Sequence, residues 1–206
     1  ESTVFRVNLA LSSLPEAPVF GQTNPEGGVV PQMTIAPNLG YMERAWHQAQ
    51  GGDMADEPFL IVKVPSMVDP TLAPAGPHIM NIFGGHAPYT LAKGDWDQRR
   101  EELWGRVLAV LKTQFPDIGS KILHRQILTP LDMERIFDLP NGHVHPGGIS
   151  ADQMFFRRHS AGYADYRSPV EFLYQASASV HPGGGVTGVP GHNAAKVILE
   201  DRRKWS

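Results

Sequence analysis

Residues 172–199 read FLYQASASVHPGGGVTGVPGHNAAKVIL, an order that predicts a strand, a glycine-dense turn and a helix beginning near Pro190. Gly183, Gly184 and Gly185 carry no Cβ, so a bulky ligand can approach the main chain closely. The first turn of the helix leaves N–H groups unpaired and has partial positive charge. The stretch therefore predicts a site for an anion or an electron-rich ring. The alternative is a tight strand-to-helix connection, although three adjacent glycines cost much backbone entropy for a turn alone.

Several motifs accompany this turn. They are a Leu-Tyr pair, the run His-Pro-Gly-Gly-Gly-Val and a Gly-x-x-Gly-x-Asn-Ala-Ala helix start, with residues 129–135 (TPLDMER) and 163–169 (YADYRSP) upstream. In this order they resemble the C-terminal flavin-contacting segment of phytoene-desaturase-like FAD-dependent oxidoreductases, above all the pyridine nucleotide-disulfide oxidoreductase domain branch. The matching residues of the turn and helix are Leu173, Tyr174, His181 to Val186, Gly188, Gly191 and Asn193 to Ala195.

The resemblance implies that the turn contacts the isoalloxazine and ribityl parts of FAD. The residues it assigns to the cofactor are Ser179, Val180, His181, Pro182, Gly183, Gly184, Gly185, Val186, Val189 and Asn193. The helix N-terminus would then stabilise negative charge on the reduced flavin without a side-chain acid. His181 is either a hydrogen-bonding partner of flavin or substrate, or it fixes the turn through a backbone carbonyl. Asn193 either contacts the flavin or competes for helix capping.

Two features depart from the family pattern. Relatives usually have Cys-Gly-x-Gly or Gly-Ala-Ser-Thr before His-Pro-Gly, whereas residues 176–180 read ASASV and contain no glycine. Family members also begin with a strand, a Gly-x-Gly-x-x-Gly turn and a helix for the ADP half of FAD, and the pairs Gly27-Gly28 and Gly51-Gly52 lack that spacing. We therefore expect the C-terminal part of a longer flavoprotein, which on its own retains little FAD and has no activity.

The order of elements predicts an α+β fold. Strands are predicted at 3–11, 59–64, 78–83 and 121–128, with a further short strand at 28–33. Helices are predicted from Asn38 to Gly51, over 95–115, and from Thr129. The expected architecture is a mixed β-sheet covered by helices on one side. The resemblance implies a substrate-binding domain at 1–128, a connecting segment at 129–169, and a strand-turn-helix at 170–206 that returns to the FAD domain.

Composition excludes several classes of function. The chain has 206 residues, 41% hydrophobic and 19% charged, which is typical of a soluble globular protein. A net charge of -3 and a pI near 6.3 argue against nucleic acid as a partner. The absence of cysteine excludes disulfides, Cys-ligated zinc and iron–sulfur clusters. No apolar run reaches the roughly 18 residues of a spanning helix, so a cytoplasmic protein is expected, with peripheral membrane contact left open.

The nine histidines raise the question of a metal site. His143 and His145 are spaced to share one side of a strand, and His181 and His192 lie in a similar glycine-rich setting, so zinc or iron bound by three histidines is conceivable. No acidic partner stands at ligand spacing, so no metal is predicted. The Gly-x-Ser-x-Gly signature of serine hydrolases is absent.

In the complete enzyme the resemblance implies hydride transfer from a largely apolar organic substrate to FAD, with the protein supplying orientation and electrostatics. One alternative is a noncatalytic ligand-binding or interaction domain that kept the fold without the dinucleotide-binding half. Another is a separate chain that completes a flavin site on a partner.

Three smaller expectations concern individual side chains. A substrate channel could be lined by Asp152, Gln153, Phe155, Phe156 and Arg157. A strand with Met154 and Phe156 buried and the two arginines at 157 and 158 solvated is favoured. Trp46, Trp96 and Trp104 are expected in the core. Asp201 and the basic residues after it are expected to be a solvated helix end.

Overall fold

The computed structural model describes residues 2–21, 28–145, 150–158 and 160–205. The chain forms two compact units, Glu1–Val144 and His145–Ser206. Strands and helices both occur in the first unit, which confirms the α+β class.

The first unit is built on a five-stranded sheet with the order β2-β3-β4-β1-β5. Its strands are β1 Ser2–Leu11, β2 Gln32–Ile35, β3 Phe59–Lys63, β4 His78–Pro88 and β5 Ile122–Leu128. All four pairings are antiparallel, so the prediction of a mixed sheet was wrong. A helical connection does join β4 to β5, which run in the same direction. However, β1 lies between these two strands and separates them.

One face of this sheet packs on a long helix, α2, which spans Trp96–Gln114. Phe5, Val7, Leu9 and Leu11 alternate along β1 and are buried, as the period-two pattern predicted. They share a core with the α2 residues Trp96, Leu103, Trp104, Val107 and Leu111. Trp96 and Trp104 are therefore core residues, as predicted, whereas Trp46 is 42% exposed and lies edge-on to His86.

Three of the helices of the first unit begin at capping residues that the sequence indicates. In α1, Leu39–Gln50, the side chain of Asn38 accepts a hydrogen bond from the amide of Tyr41 at 2.9 Å. Asp95 caps α2 in the same way. A single helical turn, α3 Ile118–Lys121, precedes β5, and Thr129 forms a capping box at the start of α4, Pro130–Phe137.

The second unit consists mainly of turns and one helix, α5, Val189–Trp205. Its small core contains Tyr166, Val180 and Ala194, with Val197 packed against them. The strand predicted within 170–180 is not formed, because its described part has only one bridge, between Arg167 and Tyr174. A strand requires a hydrogen-bonded neighbour along its length.

Two further expectations for this unit were wrong. Residues 151–153 and 155–157 form short 3₁₀ turns in place of a strand. Phe156 is 73% exposed and Arg158 is only 5% exposed, both against the prediction, whereas Arg157 is exposed as predicted. Asp201 is 8% exposed and binds Arg167, whereas the basic residues 202–204 at the helix end are exposed as predicted.

Within the described parts of the chain, no helix combines the length and apolar character needed to cross a membrane.

Candidate functional site

The glycine-rich bend of the second unit is anchored at one end and open at the other. Val180 is completely buried and Gly183 is buried, while Gly184 and Gly185 are exposed and Val186 is fully exposed. The bend therefore leaves the small core at Val180, returns at Gly183 and then projects outward before α5 begins.

The backbone of this bend needs glycine at particular positions. Gly183, Gly185 and Gly188 have φ values of 105°, 125° and 72°, which L side chains rarely adopt. Val186 also has a positive φ, 56°, an unusual conformation for a β-branched residue. Such conformations cluster at functional sites, so this one marks the outer part of the bend as a candidate.

The amide groups of the outer bend have no hydrogen-bond acceptor among the described residues. Val180 N donates to Ser177 O at 3.2 Å, and Val189 N donates to Thr187 Oγ1 at 3.2 Å. Between these positions, no acceptor among residues 150–158 and 160–205 binds the amides of Gly184, Gly185 or Val186. These N–H groups are therefore available to a ligand or to water.

Tyr166 holds the bend to helix α5. Its hydroxyl donates to the carbonyl oxygen of His181 at 2.8 Å and accepts from Asn193 Nδ2 at 2.8 Å. Sequence reasoning did not single out Tyr166, although it lies within the 163–169 motif. The side-chain amide of Asn193 is thus engaged in an internal hydrogen bond, and the imidazole of His181 lies 5.6 Å from the ring of Phe155.

A buried cation lies behind the bend. Arg158 Nη2 donates to the carbonyl oxygen of Ala178 at 3.2 Å. A Cβ at Gly183 would lie 3.6 Å from Arg158 Cζ, so this glycine rests on the guanidinium. No sequence signal indicated this contact, because a residue placed in a predicted strand was expected to be solvated. The arginine adds positive charge next to Gly183, the residue before the amides that have no described acceptor.

The predicted cofactor residues thus fall into three groups. The buried ones are Val180 and Gly183; the half-buried ones are Ser179, His181 and Asn193; the exposed ones are Pro182, Gly184, Gly185, Val186 and Val189. The second His-Pro-Gly-Gly copy begins at His145, but residues 146–149 lie outside the described part of the chain. Among the described residues, no group of His, Asp and Glu side chains is placed to hold a metal ion.

Comparison with known proteins identifies the family. No protein-family model matches the chain. It is 37% identical over 209 residues to pyridine nucleotide-disulfide oxidoreductase domain-containing protein 2 of Rattus norvegicus, an alignment that covers 98% of the chain. The mouse protein of the same name is equally similar. The chain belongs to the phytoene-desaturase-like oxidoreductases.

More distant members of this oxidoreductase family also match. Phytoene desaturase (lycopene-forming) of Pseudescherichia vulneris is 28% identical over 167 residues, covering 73% of the chain and 30% of that protein. Phytoene desaturase (neurosporene-forming) of Rhodobacter capsulatus is 29% identical over 147 residues, covering 68% of the chain and 26% of that protein. The chain spans 36% of the length of the rat relative. The family predicted from the glycine-rich motifs is therefore confirmed.

Proposed function

We propose that the bend from Ser179 to Val189 contacts the isoalloxazine and ribityl parts of FAD in a longer polypeptide that also carries the dinucleotide-binding domain. In that polypeptide the first unit is a substrate-binding domain and the second unit completes the FAD domain. The reaction is removal of hydride from a largely apolar organic substrate. Membership of the oxidoreductase family and the geometry of the bend support this proposal.

The main support is the set of amides of the exposed residues Gly184, Gly185 and Val186. No described residue accepts a hydrogen bond from them, and no side chain on the glycines limits approach to the main chain. A Cβ built at Gly184 would come no nearer than 3.8 Å to its neighbours, so the absence of a side chain there is not required by internal packing. Close approach of a ligand to the main chain explains why position 184 is glycine.

Bound FAD would supply the hydride acceptor. The residues of this chain would bind the cofactor and orient it. The amides of residues 184–186 donate hydrogen bonds, and the start of α5 at Val189 adds the partial positive charge of a helix N-terminus. The buried guanidinium of Arg158 adds a full positive charge. All of these groups favour an electron-rich ligand over a cation.

The substitution Gly184→Ala tests the proposal. We expect it to weaken FAD binding by about tenfold or more in the polypeptide that contains both domains, because the new methyl group stands between the main chain and the flavin. FAD content is measured from flavin absorbance after gel filtration, and affinity by titration. The chain alone is expected to retain little or no FAD.

Gly105→Ala is the matched control, since Gly105 is exposed on α2 and nothing lies within 4 Å of its Cβ position. It should leave FAD affinity unchanged. Thermal unfolding of both variants checks that the fold is intact. Unchanged FAD affinity in Gly184→Ala would show that the flavin does not contact this bend.

A further inference from the structure

The sheet of the first unit has an unusual charge pattern. None of its five strands contains Asp or Glu, although the chain has 21 acidic residues. Three strand residues, Arg6, Lys63 and Arg125, are Lys or Arg. Arg125 lies on the face of the sheet that packs on α2. There its Nη2 donates to Glu101 Oε2 at 2.6 Å, and its guanidinium lies over the ring of Trp104.

Arg6 and Lys63 lie on the opposite face. Arg6 alternates with the core residues Phe5 and Val7, and Lys63 lies between Val62 and Val64 of the same core. Both side chains are exposed, and neither forms an ion pair with a carboxylate of the described residues. This face, which we call the open face, therefore carries two uncompensated positive charges.

A row of amide side chains crosses the open face beside these cations. Asn81 Nδ2 donates to Asn8 Oδ1 at 2.8 Å, and Asn8 Nδ2 donates to Gln126 Oε1 at 2.9 Å. The register places Lys63 directly opposite Asn81 on the next strand. The row thus extends over four neighbouring strands. It begins at the cation Lys63 and continues through the three amides of Asn81, Asn8 and Gln126.

Apolar side chains flank the row. Ile61, Ile79 and Phe83 point to the same face and are half-buried. The guanidinium of Arg6 lies 5.6 Å from the centroid of the Phe83 ring. Cations, amide donors and apolar surface therefore occur side by side, a combination that suits a ligand with an anionic end and a hydrocarbon body.

The spacing allows both cations to reach one anionic group. Arg6 and Lys63 are two strands and two residues apart, which corresponds to about 12 Å between their Cα atoms. Both side chains are long and flexible, so their charged ends can converge. An outward sheet face that serves only as a solvated surface would be expected to mix charges of both signs; this one carries positive charge alone.

We propose that the open face binds an amphiphilic organic carboxylate, with its carboxylate at Arg6, Lys63 and the amide row, and its apolar body along Ile61, Ile79 and Phe83. As a statement about the substrate, the inference rests on the proposed oxidoreductase function and narrows the substrate class to an acid with a long apolar chain. As a statement about binding, it can be tested without any flavin.

The test compares three ligands with the same chain length: dodecanoate, dodecan-1-ol and dodecylammonium. Each is titrated into the 206-residue chain by calorimetry, below the concentration at which it forms micelles. Dodecanoate should bind about tenfold or more tightly than the other two, because only it gains charge-assisted hydrogen bonds. The double substitution Arg6→Gln, Lys63→Gln should abolish that preference while the alcohol binds as before.

Arg125→Gln is the matched control, since it removes a cation from the helical side of the same sheet. It should leave the preference intact. Asn8→Asp, which adds a carboxylate to the row, should lower dodecanoate affinity and raise that of dodecylammonium. Circular dichroism melting confirms that each variant is folded.

Equal affinity for the three ligands, or an equal loss with Arg125→Gln, would overturn the proposal. So would failure of dodecanoate to bind. These outcomes leave the flavin-contacting bend untouched, because no ligand in this test depends on it. Conversely, if the flavin proposal failed, the open face could still bind carboxylates, but no reaction would be assigned to it.

Discussion

Arg167 and Asp201 form a two-pronged ion pair in the second unit. Arg167 Nε donates to Asp201 Oδ2 at 2.8 Å, and Nη2 donates to Oδ1 at 2.8 Å. Tyr174 adds a hydrogen bond from its hydroxyl to Oδ2 at 3.0 Å. The pair fastens the loop that precedes the glycine-rich bend to the last part of α5, so it supports the geometry of the candidate site.

This ion pair predicts acid sensitivity of the second unit. The Arg167 guanidinium holds the pKa of Asp201 well below its ordinary value of 3.8. Because the pKa is lowered in the folded state, the pair stabilises the fold above pH 3.8, and this stabilisation is lost as the pH falls through the folded-state pKa. Asp201→Asn should lower the melting temperature at pH 7, and the difference from the unsubstituted chain should shrink progressively in acid.

Asp138→Asn provides the control for this measurement. Asp138 is exposed at the end of α4 with φ 53°, a conformation that asparagine also tolerates, and no ion pair with a described residue involves it. Its melting temperature should follow that of the unsubstituted chain at every pH. A constant difference between Asp201→Asn and the unsubstituted chain across the pH range would contradict the prediction.

The hydroxyl of Tyr166 is predicted to determine the position of the glycine-rich bend. Tyr166→Phe removes the hydrogen bonds to His181 O and from Asn193 Nδ2 at a residue that is 8% exposed. We expect a loss of about 1–3 kcal/mol in the stability of the second unit, because two partially buried groups lose their partner. Hydrogen exchange of the α5 amides measures this loss locally.

Tyr163→Phe is the comparison variant, since Tyr163 lies in the same motif, is 37% exposed, and its hydroxyl makes no hydrogen bond to a described residue. Its α5 amides should exchange as in the unsubstituted chain. In the double variant Tyr166→Phe, Asn193→Ala the two losses should not add, because both substitutions remove one shared hydrogen bond. Full additivity would show that the contact contributes nothing.

The parts of the fold that depend on neighbours in sequence were predictable. The alternation along β1 and the caps at Asn38, Asp95 and Thr129 are local signals, and the structure follows them. The antiparallel sheet was not predicted, since its order depends on the insertion of β1 between two strands that lie far along the chain. No local sequence pattern indicates where a strand lies within a sheet.

In the second unit, contacts between residues far apart in the sequence were even harder to predict. Arg158 is buried because the carbonyl of Ala178 and the glycine at 183 close over it, and both lie at least twenty residues away. Sequence reasoning placed Phe156 in the interior of a strand, whereas the small core of this unit is formed by Tyr166, Val180 and Ala194 and does not include Phe156. The glycine run itself was recognisable, because consecutive glycines are hard to explain by turn formation alone.

Gly84 in β4 is predicted to be fixed by the ring of Phe5 on β1. A Cβ at Gly84 would lie 2.1 Å from Phe5 Cζ, and Phe5 is 1% exposed and cannot move away into solvent. Gly84→Ala should therefore destabilise the first unit by about 1–3 kcal/mol in chemical denaturation. Combined with Phe5→Leu, which shortens the side chain that clashes, the alanine should cost much less than it does alone.

Gly105→Ala again separates packing from backbone effects. In the exposed middle of α2 the same substitution should stabilise the protein by up to about 1 kcal/mol. An equal cost of Gly84→Ala with Phe5 and with Leu at position 5 would mean that the ring is not the reason for the glycine.

The capping box at Thr129 is predicted to hold α4 against the end of β5. Thr129 is fully buried, its amide donates to Asp132 Oδ2 at 2.8 Å and its hydroxyl donates to the same oxygen at 2.9 Å. Arg100 Nη2 binds the second oxygen, Oδ1, at 3.0 Å, so one carboxylate connects α2 and α4. Thr129→Ala should cost about 1 kcal/mol, the usual value of an N-cap side chain.

Thr129→Ser keeps the hydroxyl and loses only a methyl group, so comparison of the two variants isolates the hydrogen bonds from the packing. Serine should recover most of the unfolding free energy that alanine loses. With Asp132→Asn already in place, Thr129→Ala should cost less, because the amide side chain is a weaker acceptor for the hydroxyl and for Arg100. If serine and alanine destabilise the chain equally, the methyl group and not the cap is what position 129 contributes.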